Sequence, residues 1–212
     1  MVQAGLDPEK DVTIIQQPFD MSLLLNREVD AAQAMTYNEY AQVLEVKDAK
    51  TGKLISPDDL EIVDFNKEGT AMLQDGIFTT EAFLKDAKNQ DVTTRFLKAS
   101  FRGWMYCRDN QAECVDIVLK QGPTLPKGHQ TWQMNEINKL VWPSPTGVGI
   151  MDDKLFQQTA DIALKYAVIK KAADKSAYTA DYAKKAIAAL SGQDTTGANW
   201  KPITVVLTEG GK

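Results

Sequence analysis

Apolar and polar positions follow two textures along the chain, with the change near residue 79. In the first part the apolar residues come in short runs. Val12-Thr13-Ile14-Ile15 is β-branched and predicts a strand that Pro18 ends. Met21, Leu24 and Leu25 give a short amphipathic helix over Asp20–Asn26. The small-residue run in Asp30–Met35 predicts a buried strand whose helices sit close, and a helix over Tyr37–Glu45 follows. The order β-α-β-α with short joins implies a parallel or mixed sheet with helices on its faces, an α/β fold. Val46–Pro57 is a polar excursion with a turn at Lys50-Thr51-Gly52-Lys53, and Ser56-Pro57 reads as an N-cap with proline at the first helical position. Leu60–Phe65 and Met72–Phe78 add two expected strands.

Beyond Thr79 the spacing turns helical. Thr80 opens one helix and Asp91 is expected to cap a longer one, Val92 to about Cys107. Val92, Phe96, Ala99, Gly103 and Cys107 recur as its core-facing stripe, with Arg95, Lys98 and Arg102 on the wet side. Helices over Gln111–Lys120 and Gly128–Leu140 are stopped by Gly122-Pro123 and by Trp142-Pro143-Ser144-Pro145. A long helix is expected from Asp153 to Ala172, and Thr179 caps a last one to about Leu190. Ile203–Leu207 reads as a closing edge strand.

Composition narrows the classes. A hydrophobic share of 43% and a charged share of 25% are ordinary globular values in a chain of 212 residues. The net charge of −5, without a long basic run, argues against nucleic acid as a partner. No stretch of ~18 apolar residues is present to span a membrane. The opening Met1–Gly5 has no basic and apolar leader pattern, and Gly5-Leu6-Asp7-Pro8 reads as the end of a helix before a strand. The expectation is therefore a chain that begins inside a longer protein. Cys107 and Cys114 would sit ~10 Å apart along one continuous helix, too far for a disulfide, so they read as two half-buried thiols.

The stretch Glu28–Tyr40, EVDAAQAMTYNEY, carries the candidate chemistry. Tyr37, Asn38 and Glu39 fall where a strand gives way to a helix, the place where open α/β sheets keep ligands. A tyrosine ring offers a stacking face, while amide and carboxylate oxygens accept protons from the amino or ring N–H groups of a heterocycle. Thr36 and Glu39 also fit Thr-x-x-Glu, a capping box in which the carboxylate serves only its helix. Asp75, Gly76 and Phe78 close the expected strand Met72–Phe78, as a functional rim with a hinge glycine or as a plain turn. Trp104 and Tyr106 read as core, and Trp132 and Trp142 as structural. His129, the single histidine, has no carboxylate or cysteine beside it in sequence, and no phosphate loop or nucleophile elbow is present.

Asp30-Ala31-Ala32, Tyr37-Asn38-Glu39, Gln74-Asp75-Gly76-Ile77-Phe78, Arg102-Gly103-Trp104-Met105-Tyr106, Trp132-Gln133-Met134 and Trp142-Pro143-Ser144 occur in an order and spacing that resembles a known family. It is that of the solute-binding proteins of ABC importers for thiamine-pyrimidine precursors and riboflavin. These are similar in turn to sulfonate- and nitrate-binding proteins and to the fungal thiamine-pyrimidine synthase. The resemblance implies a periplasmic-binding-protein-like (type II) architecture of two α/β lobes with the first incomplete. Residues 1–78 would be the remainder of the second lobe, and 79–212 a mainly helical part returning to the first. It further implies a non-enzymatic binding protein, without a cofactor or metal, that delivers a heterocyclic vitamin or precursor to a membrane permease. Such a protein is monomeric and periplasmic or membrane-anchored on the extracytoplasmic side. Tyr37, Asn38, Glu39, Asp75 and Phe78 would bind the ligand. The alternatives are a sulfonate- or nitrate-type binding protein, which Glu39 disfavours by repelling an anion, and a synthase-like enzyme using a pyridoxal cofactor, whose cysteine motif has no counterpart here.

Overall fold

The computed structural model describes residues 1–212. Eight α-helices form in order: α1 Ser22–Leu25, α2 Glu39–Leu44, α3 Glu81–Leu84, α4 Ala87–Asp109, α5 Gln111–Gln121, α6 Lys127–Val141, α7 Asp153–Lys165 and α8 Asp181–Ala188. Short 3-10 turns sit at Val2–Ala4, Pro57–Asp59, Lys175–Ala177 and Glu209–Gly211.

There is no sheet, which corrects the expected α/β, two-lobe periplasmic-binding architecture. One isolated antiparallel bridge joins Lys47 to Leu54. The runs expected as strands have no regular secondary structure, and none lies beside a second backbone in ladder register. Helix and glutamine side chains satisfy them instead. Gln17 brackets Gln33, accepting from its N–H at 2.9 Å and donating to its carbonyl at 2.8 Å. From α7, Gln158 donates to the Ala71 carbonyl and Thr159 accepts from the Leu73 N–H. From α6, Asn135 accepts from the Ile203 N–H. β-branched residues favour a strand, but they do not supply the pairing partner that a sheet needs.

The core is helical. Leu97, Phe101 and Met105 of α4 meet Ala183 and Ala186 of α8, with Leu190, Trp142 and Val148 closing the cluster. Alanines on α8 let the two helices approach closely. Asp86 caps α4, five residues before the expected Asp91, and the inward stripe is Leu97, Phe101, Met105 and Arg108. Phe96, expected inside, is exposed, as the real stripe lies one residue, about 100°, further round the helix. Trp104 and Tyr106 are likewise half-exposed rather than core, whereas Trp142 is buried.

Helix breaks correct three further expectations. Asn110, at φ −132° and ψ 53°, separates α4 from α5, so the cysteines do not share one helix. Their Cα atoms come within 5.5 Å and Cys107 and Cys114 form a disulfide. Ala167, at φ 58°, ends the long helix at Lys165 rather than Ala172. The last helix is N-capped by Ala180, one residue beyond the expected Thr179.

The buried Arg108 guanidinium ties these pieces together. It forms a two-pronged pair with Asp109 at 2.7 and 2.8 Å, donates to the Asp194 carbonyl, and lies 4.7 Å over the Trp142 ring. Asp109 and Asp194 raise its pKa against the opposing effect of burial, so it stays a cation.

Gly149 is required by this core. It has φ 78°, and a Cβ there would collide with the Phe101 ring. Gly192 has a similar φ of 84° with open space around it. Gly149→Ala is expected to cost about 2–4 kcal/mol in denaturant unfolding, and Gly192→Ala only about 1 kcal/mol of backbone strain. Equal losses would contradict the packing described.

Candidate functional site

The junction between the extended run ending at Met35 and α2 is built by side chains from distant elements. Asn38, at φ −135° and ψ −84°, is the N-cap residue of α2 without a capping bond from its own side chain. Glu39 Oε2 accepts from the Met35 N–H at 3.0 Å, so the expected Thr36–Glu39 capping box is not formed. Glu39 Oε1 takes no protein donor. The indole N–H of Trp132, on α6, donates to the Thr36 carbonyl at 2.9 Å, and the Trp132 ring packs against Tyr40 at 6.3 Å.

An open cleft of about 400 Å³ lies beside this junction, lined by Gln17, Pro18, Phe19, Gln33, Met35 and Glu39. The Gln17 amide braces Gln33 and also donates to Met21 Sδ, which fixes the two walls against each other. Phe19 is 82% exposed and offers an open ring face. The lining thus provides a carboxylate acceptor, the free Gln33 amide, and apolar surface from Phe19, Pro18 and Met35. It provides no amine, thiol or hydroxyl. A larger concavity of about 680 Å³ lies over the Cys107–Cys114 disulfide, and contains none of the residues the family pattern singles out as ligand-binding.

The five residues expected at the site divide. Glu39 lines the cleft. Tyr37, next to Glu39 in the chain, is half-buried and does not itself line the cleft; burial, then Asp75, then Glu39 raise the pKa of its phenol, so each carboxylate lies within electrostatic reach of it. Asn38 turns away, its Oδ1 lying 2.9 Å from His129 Nε2 on α6. Phe78 is 94% exposed and does not line the cleft. Gly76 has no positive φ that would need a glycine.

Gln17, Phe19, Gln33 and Met35 were not identified from sequence. For Gln33 and Met35 a signal existed, because residues two apart on an extended run face the same way. The role of Glu45 was also missed. Its carboxylate lies 3.0 Å from His129 Nδ1, and both side chains are buried. Burial pushes the Glu45 carboxyl up from its usual range, and His129 pulls it the other way by charge and hydrogen bonding.

A family model described as NMT1/THI5 like matches residues 1–114, more than half of the 212, and the chain belongs to that family. The family is found in ABC solute-binding proteins and in thiamine-synthase-like proteins, and its members generally bind small molecules. Its binding proteins are typically extracytoplasmic, and no helix of this chain is long and apolar enough to cross a membrane. No curated protein and no solved structure matches the chain.

The Tyr37 environment has a pH signature. A phenol whose pKa is raised in the fold contributes stability below its unfolded value of about 10, and that contribution is lost as pH rises through the folded value. The ring-carbon NMR signal of Tyr37 is expected to titrate above pH 10, and to titrate earlier in Asp75→Asn. An unchanged midpoint in that variant would place Asp75 away from the site.

Proposed function

We propose that the chain is a non-catalytic solute-binding protein for a heterocyclic vitamin or precursor, a thiamine pyrimidine or a flavin, that serves an ABC importer. The observation that carries this reading is the cleft beside Glu39. One carboxylate oxygen is held by the Met35 N–H and the other is free to accept from a ring or amino N–H. The Phe19 face and the Met35 thioether are suited to a flat ring. A carboxylate at the mouth repels sulfonate and nitrate, which favours a neutral or cationic heterocycle. The lining of one carboxylate, two amides, a phenyl ring and a thioether supports the binding reading.

The disulfide supports an extracytoplasmic location, since such bonds persist in oxidising compartments. Delivery to a membrane permease follows from the transport reading, with the protein acting as a monomer.

Trp132 reports on the site because its indole is bonded to the Thr36 carbonyl. Titration with an aminopyrimidine and with riboflavin, followed by tryptophan fluorescence, is expected to saturate with one of them. Glu39→Gln and Tyr37→Ala should each weaken that binding about tenfold or more, roughly 1.4 kcal/mol per decade. Saturation by sulfonate instead, or full affinity in Glu39→Gln, would overturn the assignment.

A further inference from the structure

The core uses one apolar face of α4 and leaves another open. Leu97 and Phe101 point into the core. Ala99, Gly103 and Cys107, four residues apart in turn, share a second face that lines the concavity over the disulfide. Ile117 and Val118 of α5 and Met134 of α6 add apolar surface from two further helices. Its volume of about 680 Å³ is in the range that holds a small molecule.

The charge in this lining is one-sided. Arg102 and Asp109 are its two charged residues. Asp109 is held in the two-pronged pair with the buried Arg108. Ion pairs hold Arg95 and Arg108, but Arg102 enters none, and its guanidinium is exposed at the concavity. The site therefore complements an anion attached to an apolar or peptide-like body.

The two sulfurs at this site are not alike. Cys114 is 4% exposed, whereas Cys107 is half-buried. A thiolate attacks one sulfur of a disulfide, and access decides which one. Arg102 and Cys107 are five residues apart on α4, about 7.5 Å along its axis, which two or three residues of extended peptide can span.

We propose that Cys107 is a modification site, which takes a small peptide thiol bearing a carboxylate by exchange with its disulfide while Arg102 holds the carboxylate. The incoming thiolate bonds to Cys107 Sγ and the bond between Cys107 and Cys114 breaks. Its electron pair goes to Cys114 Sγ, which takes up a proton. One disulfide replaces another, so no further oxidant or reductant is consumed. The same step removes the covalent tie across the Asn110 break between α4 and α5. The site is separate from the cleft beside Glu39 and does not rest on the binding function proposed above.

The probes are reduced glutathione, an acidic thiol tripeptide, and cysteamine, a cationic thiol. After incubation of the full chain and an acid quench, peptide mass spectrometry is expected to find glutathione on Cys107 and a free thiol at Cys114. Arg102→Gln should slow the reaction with glutathione about threefold, the size of one exposed ion pair, and leave that with cysteamine no slower. Single-cysteine variants read the same asymmetry should the intact chain reclose its disulfide before the quench. Towards glutathione disulfide, Cys107 in Cys114→Ser should react about tenfold or more faster than Cys114 in Cys107→Ser. An adduct mainly on Cys114, equal or reversed rates in the single-cysteine variants, or a glutathione rate indifferent to Arg102→Gln would each overturn the proposal.

Discussion

A carboxylate and an imidazole buried against each other cannot be left half-paired. Removing either partner leaves a charge or donor without solvent, at a cost of about 3–5 kcal/mol. Glu45 and His129 lie 84 residues apart, so their pairing forces α2 onto α6 whatever the intervening chain does. The Glu45 carboxylate also lies beside the first turn of α6, where the helix dipole favours an anion. Much else in the first half depends on this contact. It sets where α2 begins, where Asn38 points, and how the C-terminal turn closes at Gly210 and Gly211.

The remaining first half is held by amide side chains rather than by a sheet. Gln17 and Gln158 each supply bonds that a neighbouring strand would otherwise provide. The extended runs stay in place, but many of their apolar side chains stay wet, Ile14, Val63, Ile77 and Phe78 among them. The helical half behaves differently. Its core from α4, α8 and the Trp142 loop is apolar, and the Arg108 cation is satisfied by Asp109, the Asp194 carbonyl and the Trp142 face.

What could be read from sequence follows from range. Helices α4 to α8 were legible because 3.6-residue spacing and caps are local. Their errors were local too, five residues at the start of α4, seven at the end of α7 and one at the start of α8. The absence of a sheet was not legible. Met72–Phe78 has strand residues, but pairing depends on what lies opposite, and at Leu73 that is the Thr159 hydroxyl of α7. The disulfide was hidden by a single non-helical residue, Asn110. At the site, Tyr37 and Glu39 were visible as chemistry at a junction. The bond of Asn38 to His129 was not, because a histidine with no neighbour in sequence says nothing of a partner 91 residues away. Phe78 was named for its place after an apolar run, yet its ring lies in solvent.

Membership of the NMT1/THI5-like family is consistent with recognition of a small molecule, and the cleft beside Glu39 is where we propose that it occurs. The central claim is that this recognition happens at the Met35–Glu39 junction. Amide and methyl chemical-shift mapping with a bound heterocycle tests it most directly. The account predicts perturbations concentrated on Phe19, Gln33, Met35, Tyr37 and Glu39. Perturbations confined to the groove over Cys107 and Cys114, with the junction unmoved, would contradict it.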